Sequence, residues 1–314
     1  MSAVIVTEFT FNSCVPHNKI FTRLYEPDTA PLAVLQIAHG MAEHGAPYRP
    51  FCEYLAERGF AVVICDHIGH GRSVSSGALY GHFGDNGGLY NLVEDQRNLQ
   101  SLMQEKYPDL PYFLMGHSMG SFVARAFAAS YGSGLQALVL MGTSAGMKPG
   151  MWPAERMMLR ALKKAKGGRA KVQLLADQMT MLYNGSFRPK RTDFDWISSK
   201  EEEVDRYIQD PLCGFPLTVQ GYLDLGVMLE AVNRREWYTR VPKKLPVYLI
   251  SGGRDPVGDM GKGVRRVERK LLETGHHVRT TLYPGIRHAL CTETNSPRVF
   301  ADIHRFLAEH LPRV

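Results

Sequence analysis

The chain has 314 residues, of which 44% are hydrophobic and 22% are charged, and this composition is typical of an ordinary globular protein. Its net charge of +6 is modest, so the charge argues against a nucleic-acid partner and fits an attraction to anionic surfaces better. The five cysteines include no C-x-x-C pair and predict reduced thiols. The N-terminal segment lacks a signal-peptide pattern, and no apolar run approaches the roughly 18 residues of a membrane span. We therefore expect a cytoplasmic protein, whose oligomeric state the sequence leaves open.

Short elements of regular structure follow one another along most of the chain. Residues 4–11 and 20–25 alternate apolar with polar side chains, as a hairpin at a sheet edge does. Six apolar runs predict buried parallel strands, at residues 32–38, 60–65, 112–115, 135–141, 247–250 and 278–283. Helical patterns separate them, at residues 48–58, 90–107, 119–131, 261–274 and 297–310. This alternation predicts an α/β fold, a mostly parallel sheet with helices on both faces.

One interval between predicted strands is too long for a single crossover helix. About 100 residues separate the strands predicted at 135–141 and 247–250, whereas a crossover unit needs roughly 30. The surplus, residues 145–236, is rich in methionine and has a helical pattern at 154–166, 172–182, 200–209 and 218–233. It predicts a helical cap, or lid, over the carboxyl ends of the strands, where open α/β sheets bind ligands. The core would then comprise residues 1–144 and 237–314.

The strongest chemical signal is the sequence G-H-S-M-G at residues 116–120, between a predicted strand and a predicted helix. This is the context of a G-x-S-x-G nucleophile elbow, in which a sharp turn presents the serine hydroxyl to substrate. Gly116 and Gly120 would let the strand and the helix approach without Cβ clashes. Ser118 is therefore the candidate nucleophile, and an ordinary glycine-rich turn is the alternative.

A serine hydroxyl needs a base, which a carboxylate orients. In this context the acid and then the histidine follow the serine along the chain, each after a later strand. Asp255 lies in the loop after the strand at 247–250, and His288 lies in the loop after the strand at 278–283. The alternatives are a helix cap for Asp255 and a surface histidine for His288, and Asp259 is the reserve acid.

An oxyanion hole would complete the site, and it needs two backbone N–H groups. One would belong to Met119, the residue after the nucleophile. The other would belong to Met41, in the loop after the strand at 32–38, where Gly40 lets the backbone turn inward. The alternative for this loop is a connection without a catalytic role.

Two further patterns have mainly structural interpretations. Several histidines cluster near the predicted site, but no H-E-x-x-H or H-x-H-x-D-H spacing is present, so we predict no metal and no cofactor. Residues 66–73 are instead expected to form a tight turn. Basic residues at 156–171 are interleaved with methionine and leucine. Such charge runs are usually a solvated helix face, and the alternative is transient contact of the cap with anionic lipid.

Taken together, these motifs resemble those of the monoacylglycerol lipase and lysophospholipase branch of the α/β-hydrolases. The matching segments are residues 39–44 (H-G-M-A-E-H), 66–73 (D-H-I-G-H-G-R-S), 116–120, 253–256 (G-R-D-P) and 285–288 (G-I-R-H), together with 194–198 and 210–214 in the insertion. The resemblance implies an α/β-hydrolase with a helical cap and an apolar channel for one acyl chain. Ala289 departs from the pattern, because relatives commonly carry an acidic residue there.

The predicted function is hydrolysis of a carboxylic ester, most of all of a single-acyl lipid such as a monoacylglycerol or a lysophospholipid. Ser118 would be the nucleophile of an acyl-enzyme mechanism, with His288 as the base and Asp255 as the acid. A short-chain carboxylesterase or a thioesterase on the same residues is one alternative. A non-catalytic ligand-binding protein of the same fold is another, and the presence of all three triad residue types argues against it.

Overall fold

The computed structural model describes residues 3–146 and 150–312. The described residues form one sheet of eight strands in the order β1-β2-β4-β3-β5-β6-β7-β8. These strands are β1 (Val4–Asn12), β2 (Lys19–Pro27), β3 (Ala33–Ala38), β4 (Phe60–Cys65), β5 (Tyr112–His117), β6 (Ala137–Met141), β7 (Val247–Gly252) and β8 (Val278–Tyr283). The hairpin β1–β2 is antiparallel, β2 is antiparallel to β4, and all other neighbouring pairs are parallel. The predicted α/β-hydrolase fold is therefore confirmed.

Ten α-helices of the described residues surround this sheet. They are α1 (Arg49–Ala56), α2 (Gly88–Lys106), α3 (Met119–Tyr131), α4 (Met151–Lys166), α5 (Gln173–Asn184), α6 (Glu201–Gln209), α7 (Val219–Asn233), α8 (Arg235–Arg240), α9 (Lys262–Glu273) and α10 (Ser296–Glu309). Apolar residues of α1 and α10 form the core on one face, and those of α2, α3 and α9 form the core on the other. Neighbouring residues of β3, such as Val34 and Leu35, enter opposite cores. Burial on both faces explains why the central strands are continuous apolar runs.

Two strand ends and one short helix differ from the sequence-based prediction for local reasons. Strand β5 continues to His117, because that residue still pairs with Met141 of β6. Strand β6 begins at Ala137 rather than at residue 135, because a 3₁₀ turn at Gly132–Gly134 precedes it. Helix α8 was not predicted, because six residues are too few to display a helical period.

The interval assigned to the cap contains helices α4 to α7. Helix α7 packs against α4 and also against α2 and α3 of the core. The division into a core and a cap at 145–236 stays a prediction. Its residues 147–149, and residues 1–2 and 313–314 of the predicted core, lie outside the described residues. None of the described helices is both long enough and apolar enough to cross a bilayer.

Candidate active site

Ser118 lies at the turn between β5 and α3, as the motif predicted. Its backbone has φ 53° and ψ −121°, a conformation that costs energy for a residue with a Cβ. A Cβ on Gly120 would lie 2.0 Å from the carbonyl oxygen of Ala38, and a Cβ on Gly116 would lie 2.2 Å from the carbonyl oxygen of Gly120. Both glycines are therefore required for the close approach of strand and helix that supports this strained turn.

Two backbone amides flank the serine. The Met119 amide belongs to the first turn of α3, where N–H groups have no partner within the helix. The Met41 amide lies in the loop after β3, and a Cβ on the preceding Gly40 would lie 3.2 Å from the Ser118 Cβ. Among the described residues, neither amide donates to a protein acceptor, although both residues line the same cavity as Ser118. Such a pair of free donors is suited to an oxyanion.

Asp255 and His288 come together from the loops after β7 and β8. The His288 Nδ1 atom lies 2.9 Å from the Asp255 Oδ2 atom. The Asp255 carboxylate is fully buried, and it also accepts the Ser251 hydroxyl at 3.1 Å and the Val257 amide at 2.9 Å. Because an ionised carboxylate only accepts hydrogen bonds, Nδ1 carries the imidazole proton. The Nε2 atom of His288 is left as an acceptor.

The reserve acid lies elsewhere. The Asp259 Oδ2 atom is 2.9 Å from a guanidinium nitrogen of Arg266, and the Asp259 side chain is 56% exposed. Asp255 contacts the His288 imidazole, whereas Asp259 pairs with Arg266. The geometry therefore distinguishes the two aspartates, which sequence order alone did not.

A hydrogen-bonded network behind the candidate nucleophile was not predicted from the sequence. The Glu43 carboxylate accepts hydrogen bonds from the Gly40 amide, from the Tyr48 hydroxyl at 2.7 Å and from His117 Nδ1 at 3.2 Å. The other nitrogen of His117, Nε2, lies 3.2 Å from the main-chain carbonyl oxygen of His288. The network thus joins the loop of one free amide to the loop of the candidate base.

The surroundings of Glu43 and His117, which lie 3.2 Å apart, favour an ion pair in this network. Burial raises the pKa of Glu43, but the hydrogen bond and the charge of His117 outweigh burial and lower the pKa to about 2. Burial lowers the pKa of His117, and the hydrogen bond and charge of Glu43 raise it above its ordinary value. Both shifts favour the charged forms. Glu43 and His117 each lie within a motif identified in the sequence. The spacing of those motifs did not indicate that the two side chains would be in contact.

The loop of His288 is also fastened to the inserted segment. The Trp196 ring centroid lies 5.1 Å from that of His288. The Ala289 amide donates to the Ile197 carbonyl at 2.8 Å, and the buried Glu293 carboxylate accepts backbone amides from both segments. The position of the imidazole therefore depends on the insertion as well as on the sheet.

An apolar cavity of about 280 Å³ leads away from Ser118 between the sheet and the inserted helices. Its walls are mainly methionine, leucine and aromatic side chains. The inserted helices contribute Met151, Leu175, Met179, Leu182, Tyr222, Leu225 and Leu229. Flexible, polarisable methionines adapt to ligands of varied shape. The cavity can hold a long apolar group whose reacting bond lies at the polar end.

Three of the histidines near the site form a buried cluster. His39 Nε2 accepts the His67 amide at 2.9 Å, and the His70 ring stacks on Phe83 with centroids 5.6 Å apart. Burial lowers the pKa of His67 to about 4 and that of His70 to about 3. These rings are therefore uncharged at neutral pH. They pack beside the predicted tight turn after β4, which Asp66 closes by accepting a backbone amide at 2.8 Å.

Comparisons with known proteins agree with this geometry. The model of the Hydrolase_4 family, described as serine aminopeptidase, S33, matches residues 29–295. A monoacylglycerol lipase of Mycolicibacterium smegmatis is 27% identical, with 93% of this chain and 94% of that protein covered. The monoglyceride lipase of Homo sapiens is 30% identical, with 92% and 87% covered. The crystal structure of a thermostable carboxyl esterase from Bacillus coagulans, in complex with glycerol, superimposes with a TM-score of 0.92 at 34% identity, covering 98% of this chain and 99% of that one.

Proposed function

Because this chain belongs to the Hydrolase_4 family (serine aminopeptidase, S33) and is a carboxylic ester hydrolase, we propose that it hydrolyses esters of single-acyl lipids. Monoacylglycerol is the first candidate substrate, and lysophospholipid-type esters are the second. One observation carries the proposal. A serine on a nucleophile elbow shares an apolar cavity with an imidazole that a buried carboxylate orients.

In the proposed acylation step, Ser118 attacks the ester carbonyl carbon. His288 Nε2 accepts the serine proton, and Asp255 stabilises the imidazolium through Nδ1–H. The carbonyl π electrons move to the oxygen, where the Met41 and Met119 amides receive the negative charge. The C–O bond to the alcohol then breaks, and His288 protonates the departing oxygen. In deacylation, water takes the place of the serine hydroxyl and releases the fatty acid.

The proposed substrate class rests on the shape of the cavity. Each methylene that leaves water stabilises the bound acyl chain by about 0.8 kcal/mol. A cavity with leucine and methionine walls favours longer acyl chains, whereas a short-chain esterase has no need of such a cavity. The lipases named among the relatives support the same assignment.

A labelling experiment tests the nucleophile. A fluorophosphonate probe should label the wild-type protein once, at Ser118, and Ser118→Ala should abolish both the labelling and the hydrolysis of p-nitrophenyl esters. Ser144 lines the same cavity, so Ser144→Ala is a matched control and should keep both signals. Labelling of Ser118→Ala at another serine would refute the assignment. A wild-type protein that binds monoacylglycerol without reacting would support the non-catalytic alternative.

We further propose that the inserted helices touch anionic membranes while substrate enters. Large apolar side chains are exposed on this surface, with Met157 and Met181 both 73% exposed and Leu182 67% exposed. Helix α4, which carries Met157, is also rich in lysines and arginines, the combination that favours an interfacial helix. Vesicles containing phosphatidylglycerol should sediment the protein at low salt, and vesicles of phosphatidylcholine should not. Equal binding to both kinds of vesicle would show that α4 is an ordinary solvent-exposed helix.

A cytoplasmic location is also a proposal. All five cysteines are free thiols, and Cys52, Cys65 and Cys291 are buried, as is usual for proteins of a reducing compartment. Fractionation of cells that express the protein at its natural level tests the location. Recovery from the medium or the periplasm would contradict it.

A further inference from the structure

A second cavity, of about 400 Å³, lies between the loop after β3 and the inserted residues that follow Trp196. Three side chains on its wall belong to different chemical classes of ligand. They are His44, Asp210 and Cys213, and one ligand atom from each lies within 4.8 Å of the other two. Among the residues that the structure describes, no other group of histidine, cysteine and acidic side chains meets this distance.

Hydrogen bonds hold the three candidate metal ligands in place. His44 Nε2 lies 2.9 Å from Asp210 Oδ2, and the His44 side chain is only 6% exposed. The other carboxylate oxygen, Asp210 Oδ1, accepts the Leu212 amide at 2.8 Å. The Cys213 amide donates to the Asp210 carbonyl at 3.0 Å. One tight turn therefore presents both the carboxylate and the thiol to a buried imidazole on the opposite wall.

The ion pairs on this wall leave the Asp210 carboxylate available to a cation. The nearest exposed guanidinium on this wall, that of Arg206, is paired with Glu203 at 2.9 Å. The Asp210 carboxylate is paired only with the imidazole, among the ion pairs of the described residues. The Glu43 carboxylate lines the same cavity. Lys200 also lies on this wall, and a divalent ion held by one carboxylate and one thiolate would form a neutral centre.

We propose that His44, Asp210 and Cys213 bind a zinc-like divalent metal ion, with water from the cavity as the fourth ligand. Imidazole nitrogen, carboxylate oxygen and thiolate sulfur at about 2.0–2.3 Å are the ligands that Zn²⁺ takes in tetrahedral sites. Tetrahedral coordination at these lengths separates the ligand atoms by about 3.3–3.7 Å. The His44–Asp210 contact of 2.9 Å would therefore open slightly as the metal replaces the proton between them.

Binding removes the proton of one ligand and moves the proton of another. The Cys213 thiol loses its proton to solvent and donates a lone pair to the metal. The proton on His44 moves from Nε2 to Nδ1, so the imidazole stays neutral. A proton on Nδ1 displaces the hydrogen bond that this atom accepts from the Ala46 amide. That hydrogen bond is long, at 3.4 Å. The complex accordingly releases one proton and tightens as pH rises.

The metal would fasten two parts of the chain that already touch. The Gly214 amide and the Tyr207 hydroxyl both donate to the Ala42 carbonyl at 2.9 Å. Ala42 follows Met41, whose amide we assign to the oxyanion hole. The ion would stabilise this junction without taking part in the hydrolysis. The proposed metal site therefore does not depend on the proposed function.

The test uses the full chain after treatment with a chelator. Added Zn²⁺ should bind with a stoichiometry of one and raise the melting temperature by a few degrees, because a ligand that binds only the folded state stabilises it. Co²⁺ should produce thiolate-to-metal charge-transfer absorption in the near ultraviolet. Cys213→Ser should abolish this absorption and the thermal shift. Cys14→Ser is the matched control, because Cys14 is the other half-buried thiol, and it should keep both.

Three outcomes would overturn the proposal. They are a wild-type protein that gains no thermal stability from Zn²⁺, a Co²⁺ complex without the thiolate band, and a Cys213→Ser variant that responds as the wild type does. The spectrum of the wild-type protein needs no variant, so it decides the question even if a substitution fails to fold. Fluorophosphonate labelling of the same samples reports the active site separately.

Discussion

The buried pair of Glu43 and His117 makes a sharp prediction, because it lies behind the candidate site and both of its pKa values are displaced. Glu43→Gln keeps the shape of the side chain and removes its charge. The ordinary pKa of 4.5 and the folded value of about 2 correspond to about 3 kcal/mol at 1.36 kcal/mol per pKa unit. The Glu43 side chain is only 15% exposed, so solvent screens little of this. We expect Glu43→Gln to lower the free energy of unfolding by about 2–3 kcal/mol near pH 6.

The pH dependence follows from the two shifts. The pKa of Glu43 is depressed by folding, so its contribution is complete above pH 4.5 and is lost as pH falls towards 2. The pKa of His117 is raised by folding, so its contribution is complete below about pH 6.5 and declines as pH rises through the folded value. The effect of Glu43→Gln should therefore be largest between pH 4.5 and 6.5 and smaller on either side.

Urea unfolding of the wild type and the variant across this pH range measures the stability effect, and ester hydrolysis measures the functional one. The Gly40 amide loses a charged acceptor, so kcat should fall about 10- to 100-fold with little change in KM, less than the full loss of an oxyanion donor. Glu53→Gln is the control, because Glu53 pairs with Arg49 on the solvent-facing side of helix α1, and the stability of this variant should not change. A Glu43→Gln effect that is constant with pH, or no larger than that of the control, would refute the reasoning.

Three further predictions are independent of this network. Asp255→Asn should lower kcat by about 10⁴, because it removes the carboxylate that orients His288, whereas Asp259→Asn should be close to wild type; steady-state kinetics that reverse this order would show the wrong acid. For the wild type, kcat/KM should rise about fourfold per acyl methylene until the cavity is full, and replacing 145–236 with a short linker should flatten that dependence; an optimum at acetyl or butyryl esters would contradict it. Burial raises the pKa of Asp224 to about 6, so ionisation destabilises the fold above that pH. Asp224→Asn should accordingly raise the free energy of unfolding at pH 8 by about 1–3 kcal/mol and have little effect at pH 4, and urea unfolding with no gain at pH 8 would disprove it.

Much of the fold was predictable because its elements are encoded locally. A strand buried on both faces must be a continuous apolar run, so β3, β4 and β7 were found within a few residues of their observed bounds. The elbow was equally local, because the close approach at Gly116 and Gly120 excludes any side chain. Chain order then selected Asp255 and His288 as candidates. Helix α8 escaped because six residues are too few to show a helical period. The end of β5 is set by its pairing with β6, and the start of β6 by the 3₁₀ turn that precedes it.

The sequence by itself determined the elements, the strained turn at Ser118 and the presence of a large insertion, since periodicity and glycine spacing act over a few residues. Only the tertiary structure decided which distant side chains meet. Glu43 with His117, Trp196 over His288, and the three donors at His44, Asp210 and Cys213 are separated by long stretches of chain. A local pattern specifies the face on which a residue lies. It does not specify the partner that arrives there, because the path of the whole chain and the packing of its layers set that contact.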